Sequence, residues 1–279
     1  MQIPGKSTFF FTFVAVPKFL SSMRIFRWVL FCFAAVLFAF QACGPGYTPL
    51  EFETLTLERS SSELDSDTRA TLKLVFSLPV VKGEVPLRDS LMAFYKSFYS
   101  DSLTQPLDIS LDSVARSLLT DYISLKQSDT SGTSYQGWNY AFGGRVVFEN
   151  RKVITAEASV VASEGLLAAT DLFSLAVFDK TTGRRIYYKD LVTNEPLLLE
   201  IAERAFRSEY GLGRTEPFSD AGFFFRQNRF FLPRNFTFAE NSILFLYNRF
   251  EIAPRGRGQV VLKIPIDKVN KCLDLDLVR

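Results

Sequence analysis

The chain of 279 residues contains no histidine and only three cysteines. The absence of histidine excludes Ser-His-Asp and Cys-His catalysis, histidine-ligated zinc and a histidine general base. No Walker loop, GxGxxG or GxSxG sequence occurs, and cysteine is too scarce for a thiolate metal site. We therefore expect no metal, no cofactor and no enzyme. One class of catalysis stays open, because a pair of carboxylates can hydrolyse a glycan without any of these groups.

Long apolar runs are also scarce, and the one near the N-terminus is short. Residues 23–43 read MRIFRWVLFCFAAVLFAFQAC, in which two arginines precede an unbroken apolar run of 13 residues. A membrane-spanning helix needs about 20 apolar residues. A basic head, a short apolar middle and an exit of small residues are typical of a secretory signal peptide.

The end of this segment predicts a lipid anchor. Ala42 directly before Cys43 resembles a bacterial lipobox, in which a peptidase cuts before the cysteine and the cysteine carries lipid. Phe40 and Gln41 depart from the usual leucine and small residue of that motif. We predict a lipoprotein signal, against two alternatives: ordinary cleaved secretion and an uncleaved N-terminal anchor. Met23 has the basic residues directly after it and is the expected start of translation.

Removal of a signal segment at residues 1–42 changes the charge of the protein. That segment carries four basic residues and no acid, so the remaining 237 residues would have a net charge of −2 instead of the +2 of the full chain. A near-neutral chain offers no general basic surface, and we expect no nucleic acid as a partner. Cys272 would be the one free thiol left, which excludes an intramolecular disulfide.

The first part of the mature chain reads as a tether and an α+β domain. Residues 43–49 (CGPGYTP) form a Gly/Pro tether, and residues 50–164 the N-terminal domain. Hydrophobic periodicity predicts its elements: strands at 51–58 and 71–81, helices at 86–99 and 110–125, a polar loop at 127–137, and a hairpin of strands 145–149 and 153–163.

A second α+β domain is predicted at residues 165–279. Strands 172–178 and 184–188 flank the turn DKTTG, whose Gly183 requires a positive φ. A helix begins at the cap Asn194 and ends at Gly211, with Glu200–Arg204 and Glu203–Arg207 as i,i+4 pairs on its wet face. Hairpins are predicted at 223–232 and 235–247, and a last strand at 259–265. The predicted fold is α+β, with mostly antiparallel sheets and helices packed on one side.

Two segments of this second domain resemble a known family. VFDKTTGRRIYYKDLV (177–192) and NRFFLPRNFTFAENSILFLYNRFEIAPRGRGQVVLKIPIDKV (228–269) are similar to the RsiV-like C-terminal domain, which has a D-x-x-T-G turn and ends in YxxYEIAP…G…V.IP. Phe250 replaces the usual second tyrosine of that ending. The resemblance covers about residues 165–270, and residues 50–160 resemble more faintly a domain that is found beside a peptidoglycan deacetylase.

The resemblance implies an extracytoplasmic binding domain. Its best-understood member is part of an anti-sigma factor that binds lysozyme, and many others are envelope lipoproteins without assigned activity. Relatives often carry Gly-Gly-Ala-His after the first hairpin, where this chain has SEGLLA (163–168). Only Met1 to Arg27 could lie on the cytoplasmic side of the membrane, so we expect no cytoplasmic sigma-binding segment. Lysozyme is therefore a partner that the family suggests, without direct anti-sigma action.

Six residues are candidates for binding, each with a structural alternative. Trp138 and Tyr140, in a Gly-flanked loop, suit stacking on a sugar ring or covering the sheet. Glu251 suits recognition of a ligand or holding backbone amides at a strand corner. Arg249, Arg255 and Arg257 could bind an anionic partner, and the structural alternative is that they lie in a solvated loop.

Two functions from different classes follow from this inventory. The first is a lipid-anchored, non-catalytic module, attached through Cys43 and facing the periplasm, with the outer membrane as its expected location. It would bind a protein or a glycan. The second is a carboxylate-based hydrolase of envelope glycans, which would need two acids about 5–10 Å apart in a deep cleft.

Overall fold

A computed structural model describes residues 49–65, 71–83, 85–99, 110–129, 137–164 and 169–279. The predicted signal segment 1–42, Met23, Cys43 and most of the tether 43–49 lie outside the described residues. Within those described ranges, no helix is long and apolar enough to cross a membrane.

Six strands form the larger sheet, in which spatial order follows chain order. The strands are β1 (Phe52–Ser60), β2 (Leu72–Val81), β3 (Trp138–Glu149), β4 (Val153–Ser163), β5 (Thr170–Asp179) and β6 (Arg185–Ile186). All neighbours are antiparallel except β2 and β3, which are parallel. The sheet is therefore mostly antiparallel, as the sequence predicts.

Two helices connect β2 to β3 and cover one face of this sheet. They are α1 (Pro86–Tyr99) and α2 (Leu111–Ser128). A parallel pair of strands needs a crossover connection of this kind. Alternate residues of β2 are buried under the helices: Leu72, Leu74, Phe76 and Leu78. Phe76 stacks on Phe142 of β3, with ring centroids 4.4 Å apart.

Three strands form a second, antiparallel sheet with its own helices. The strands are β7 (Phe236–Ala239), β8 (Ser242–Tyr247) and β9 (Val260–Pro265), and the helices are α3 (Tyr188–Leu191), α4 (Glu195–Glu209) and α5 (Ile266–Val269). Their core is rich in phenylalanine. The ring of Phe206 on α4 lies 4.8–5.8 Å from four other rings, those of Phe218, Phe223, Phe225 and Phe230.

The local signals at the ends of α4 are confirmed. The side chain of Asn194 accepts a hydrogen bond from the amide of Leu197 at 3.1 Å, and Gly211 follows the helix with φ of 66°. The Glu203–Arg207 pair is present at 2.8 Å. Its predicted place on a wet face is wrong, because Arg207 is buried with its guanidinium 4.1 Å from the ring of Phe218.

The predicted hairpin at 223–232 is wrong. No strand occurs there, and residues Arg226–Asn228 form a short 3-10 turn in which Gln227 and Asn228 have positive φ of 54°. Phe223 and Phe225 are buried against α4, whereas Phe224 is 49% exposed. The alternation of apolar residues reflects packing onto a helix, and not pairing of strands.

The predicted boundary at 164/165 falls between β4 and β5, which pair along ten residues. The described residues all belong to one compact unit. Both strands contribute to two cores by alternation: Ile154 and Phe178 pack under α1 and α2, and Val153 and Val177 pack against the second sheet. Whether 50–164 and 165–279 fold as separate domains stays a prediction.

Candidate functional site

Trp138 and Tyr140 lie in β3, and not in the predicted loop. The amide of Trp138 donates to the Thr71 carbonyl at 3.1 Å, which extends the parallel pairing of β2 and β3. The ring of Trp138 lies 5.4 Å from that of Tyr122 on α2. The Tyr140 hydroxyl donates to Glu164 at 2.9 Å. Burial raises the pKa of the Tyr140 phenol. Both rings are partly buried and cover the helix-side core.

The charged candidates after β8 all have partners within the chain. Arg249 makes a two-pronged ion pair with Asp171 of β5 and donates to the Arg255 carbonyl at 3.1 Å. Arg255 donates to the Ala169 carbonyl. The carboxylate of Glu251 accepts from the amide of Asn248 at 2.8 Å, which holds the turn after β8.

Arg257 is held in a different way. Its guanidinium lies 4.2 Å from the ring centre of Phe223 and 5.7 Å from that of Tyr210. It therefore covers the aromatic core of the second sheet, where a cation–π contact is worth about 0.5–2 kcal/mol.

The six candidates do not converge on one surface. Tyr140 lies two residues from Phe142 and so shares the helix-covered face of the sheet. Asp171, the partner of Arg249, lies seven residues from Phe178 and so points to the opposite face. A binding role for each residue stays a prediction, and the arrangement places the aromatic and the charged groups apart.

Two asparagines close the outer edge of β5, which the sequence did not predict. Asn248 accepts from the amide of Phe173 and donates to its carbonyl, both at 2.9 Å. Asn235 accepts from the amide of Leu175 at 3.0 Å. An uncovered edge strand is a template for pairing with another chain. These side chains therefore block the first half of the β5 edge.

The second half of that edge is covered by β6, which is itself the outermost strand. Two hollows flank it. The sheet-side hollow, of about 320 Å³, is lined by Leu175, Val177, Tyr188, Arg234 and Phe236. The helix-side hollow, of about 300 Å³, is lined by Ser90, Phe94, Ser97, Phe178 and Gly183. Arg185 and Tyr187 line both, and we call the two hollows together the β6 groove.

Three cations in the β6 groove contact aromatic rings. The guanidinium of Arg185 lies 5.2 Å from the ring centre of Phe94 and 5.0 Å from that of Tyr187. The ammonium of Lys189 lies 5.9 Å from the Tyr187 ring, and the guanidinium of Arg234 lies 4.7 Å from the ring of Tyr188. These contacts hold the charges in place without neutralising them.

Among the described residues, the three cations of the groove lack carboxylate partners, although two carboxylates lie near its margin. Asp190 accepts from the amide of Tyr187, and the negative charge of Glu195 contributes to the raised pKa of Tyr188. Within the part of the chain that the structure describes, no carboxylate pairs with Arg185, Lys189 or Arg234, and no Asp or Glu lines either hollow. Arg185 is half-buried, and this burial lowers the pKa of its guanidinium. An unpaired, partly desolvated guanidinium is costly and is suited to an anionic ligand.

The backbone of β6 also faces outward at one residue. The amide of Asp179 donates to the Arg184 carbonyl, and Val177 lies opposite Ile186. Because hydrogen-bonded pairs alternate in an antiparallel ladder, the N–H and C=O of Arg185 point away from β5. The next outward amide, that of Tyr187, donates to Asp190 at 3.0 Å. Arg185 therefore presents the outward backbone pair of this short edge.

Sequence analysis missed this groove. The one signal in the sequence is the run RRIYYK at 184–189, in which three cations and two tyrosines lie next to one another. The strand within this run has only two residues. Arg234 could not be added from sequence, since it follows 45 residues later. Elsewhere in the described ranges, no group of three or more Cys, Asp or Glu side chains is placed to hold a metal ion.

Residues 189–267 match a family model. The family is described as DUF3298, a protein of unknown function. The DUF3298 region runs from α3 into α5 and so includes the whole second sheet, Lys189 and Arg234. It lies within the segment whose sequence resembles the RsiV-like domain. A search of curated proteins found no match.

Two solved structures of DUF3298 proteins share the fold. One, from Bacteroides fragilis, is 15% identical, covers 81% of this chain and 94% of its own, and has a TM-score of 0.62. The other, from Pseudomonas aeruginosa, is 16% identical, covers 83% of this chain and 97% of its own, and has a TM-score of 0.63. Both structural matches cover more than four fifths of this chain, far more than residues 189–267. The shared fold therefore includes the six-stranded sheet.

Proposed function

We propose that the protein is a lipid-anchored cell-envelope protein that binds a partner protein through the β6 groove and carries out no chemistry on it. The observation that carries this proposal is Arg185, a partly desolvated cation held by two rings without a carboxylate partner in the described chain. Lys189 and Arg234 add to the same charge. A partner with negative charge at its contact surface would supply the missing counter-ions.

The envelope location rests on the N-terminal sequence. The short apolar run and Ala42-Cys43 suit a lipoprotein signal, so that lipidated Cys43 would hold the domain on the periplasmic side of the outer membrane. The RsiV-like resemblance adds lysozyme as a partner to test. A glycan is the other class of ligand that the sequence leaves open.

A carboxylate-based hydrolase is less well supported at this site. Such an enzyme needs an acid and a second carboxylate on either side of the bond that is cleaved. Among the residues that the structure describes, neither Asp nor Glu lines a hollow of the β6 groove. The groove thus has the charge of a binding site for anions, and not that of a glycosidase cleft.

Photo-crosslinking in living cells tests the proposed function. A benzoyl-phenylalanine at position 187, where the native tyrosine is 51% exposed, should give a discrete adduct. The matched control is position 261 on β9, where the valine is 43% exposed and far along the chain from the groove. The adduct should disappear when Arg185→Gln and Arg234→Gln are combined.

The nature of the adduct separates the partner classes. Digestion by a protease but not by a muramidase would identify a protein, and the reverse would identify a glycan. Purified lysozyme added to the full chain in detergent tests the family-based candidate. The proposal fails if position 187 gives no adduct, or gives the same adducts as position 261.

The lipid anchor has a separate test. Cells fed a clickable palmitate analogue should label the wild-type chain, and Cys43→Ser should remove the label. Cys272→Ser is the matched control, since that thiol is buried and should not be acylated. Labelling that survives Cys43→Ser would exclude the predicted lipobox.

A further inference from the structure

We propose that the occupant of the β6 groove is an extended, acidic peptide segment that adds as a strand to the outer edge of β6. This inference rests on the proposed function and specifies the ligand. Strand addition to a sheet edge draws its affinity from backbone hydrogen bonds and its specificity from pockets for alternate side chains. The groove has both features.

The edge that such a peptide would meet is narrow and well defined. Asn235 and Asn248 occupy the backbone groups of Phe173 and Leu175, so that part of β5 cannot accept a strand. Asp190 occupies the amide of Tyr187. Arg185 remains between them with an outward N–H and C=O. A single residue of an added peptide can pair with both groups.

The two hollows lie on opposite faces of this edge. The side chain of Arg185 points to the helix side, over Phe94, whereas Arg234 lies on the sheet side, over Tyr188. Successive side chains of a strand point to opposite faces. The peptide residue that pairs with Arg185 would therefore enter the helix-side hollow, and its neighbour in sequence the sheet-side hollow.

Charge then selects the side chains. Each hollow holds a guanidinium without a carboxylate in the described chain, and a carboxylate is the planar acceptor that guanidinium binds with two hydrogen bonds. The expected ligand carries Asp or Glu at two adjacent positions, one for Arg185 and one for Arg234. An anionic glycan could satisfy the charges and reach the outward backbone pair of Arg185 only through scattered hydroxyl or acetamido groups, whereas one peptide residue presents a matching C=O and N–H, which favours a peptide.

Selection from a displayed library of random heptapeptides tests this ligand. The target is the full chain in detergent micelles, in four forms: wild type, Arg185→Gln, Arg234→Gln and the control Arg214→Gln, which removes an exposed arginine after α4. Wild type and control should enrich two adjacent acidic residues. Each groove variant should lose the enrichment at one of the two positions, and a different one in each case.

Synthetic versions of the selected peptides supply the quantitative measurement. Each groove variant should weaken binding about tenfold or more, as expected for loss of a charge-assisted hydrogen bond, and Arg214→Gln should leave it unchanged. N-methylation of the peptide amide that pairs with Arg185 should abolish binding, whereas N-methylation at the next residue should not. Thermal unfolding of each variant checks that the fold is kept.

Several results would overturn the inference. Selection without acidic residues, equal enrichment in both groove variants, or binding that tolerates N-methylation at every position would each exclude acidic strand addition. If crosslinking at position 187 still gives a groove-dependent adduct, the proposed function stands and the ligand is of another class. If that adduct is also absent, the proposed function fails as well.

Discussion

Gly183 lies so close to Pro86 that a Cβ at position 183 would be 2.7 Å from the carbonyl carbon of Pro86. The turn between β5 and β6 thus packs directly on the first residue of α1. Gly183 also has a φ of 69°, which only glycine adopts without strain. This contact fixes the start of β6, and with it the position of Arg185 in the groove.

Gly183→Ala should therefore destabilise the protein by about 2 kcal/mol or more, because it adds a clash with backbone atoms to the strain of a positive φ. Chemical denaturation measures this. The matched control is Gly211→Ala, which has a φ of 66° but no atom within 4 Å of the added Cβ. It should cost only about 1 kcal/mol. Equal losses in the two variants would show that the Pro86 contact is not tight.

The edge of β5 gives a second prediction. Asn248→Ala leaves the amide of Phe173 without its side-chain partner, at a cost of about 1–3 kcal/mol, whereas the carbonyl of Phe173 still accepts from Asn235. Hydrogen exchange at the amide of Phe173 should become faster, while exchange on the paired β4 side should not change. Unchanged protection at Phe173 would mean that the asparagine does not close this edge.

Local signals in the sequence were sufficient for part of the fold. The cap Asn194, the stop Gly211 and the turn glycine Gly183 each act through the backbone of a few neighbouring residues, so they can be recognised without knowledge of the tertiary structure. The α+β class follows from the same periodicity. These features lie where local preference and tertiary structure agree.

The rest depended on contacts between distant residues. β3 begins at Trp138 and not at the predicted residue 145, because its first half pairs with β2. No local pattern in the sequence shows that β2 is the neighbour of β3. The run 223–232 alternates like a hairpin, yet Phe223 and Phe225 are buried against Phe206. The groove itself requires Arg234 to meet β6 across 45 residues of chain.

Arg204 and Arg207 look equivalent in the sequence, but they should differ in how much each contributes to the stability of the fold. Arg207 donates to the carbonyls of Gly213 and Glu216 at 3.0 and 2.7 Å and lies over the ring of Phe218. Arg207→Ala should cost about 2–4 kcal/mol, since it removes two charge-assisted hydrogen bonds, the ion pair with Glu203 and the contact of a buried side chain with Phe218. Arg204→Ala removes an exposed ion pair with N···O of 3.8 Å and should change stability by less than about 0.5 kcal/mol.

That comparison needs only denaturation curves of the two alanine variants under the same conditions. Similar midpoints would contradict the packing of Arg207 against the segment after α4. A large loss in Arg204→Ala would instead point to a contact of that exposed side chain with a partner or a second copy.

Tyr188 predicts a dependence of stability on alkaline pH. Burial, together with the nearby negative charge of Glu195, raises its pKa from 10.0 to about 12. Its hydroxyl is buried, and no described residue lies within hydrogen-bonding geometry of it. Below pH 10 the phenol is protonated in the folded and the unfolded state. Between pH 10 and 12 the unfolded chain ionises at this residue while the folded chain resists, so unfolding becomes more favourable.

Tyr188→Phe keeps the ring under Arg234 and removes the ionisation. At neutral pH the variant should be as stable as the wild type or slightly more stable, because a buried hydroxyl without a partner is lost. The difference in free energy of unfolding should then grow in favour of the variant as pH rises from 10 to 12. Urea titrations at several pH values measure it. A difference that is constant across this range would show that Tyr188 ionises equally easily in both states.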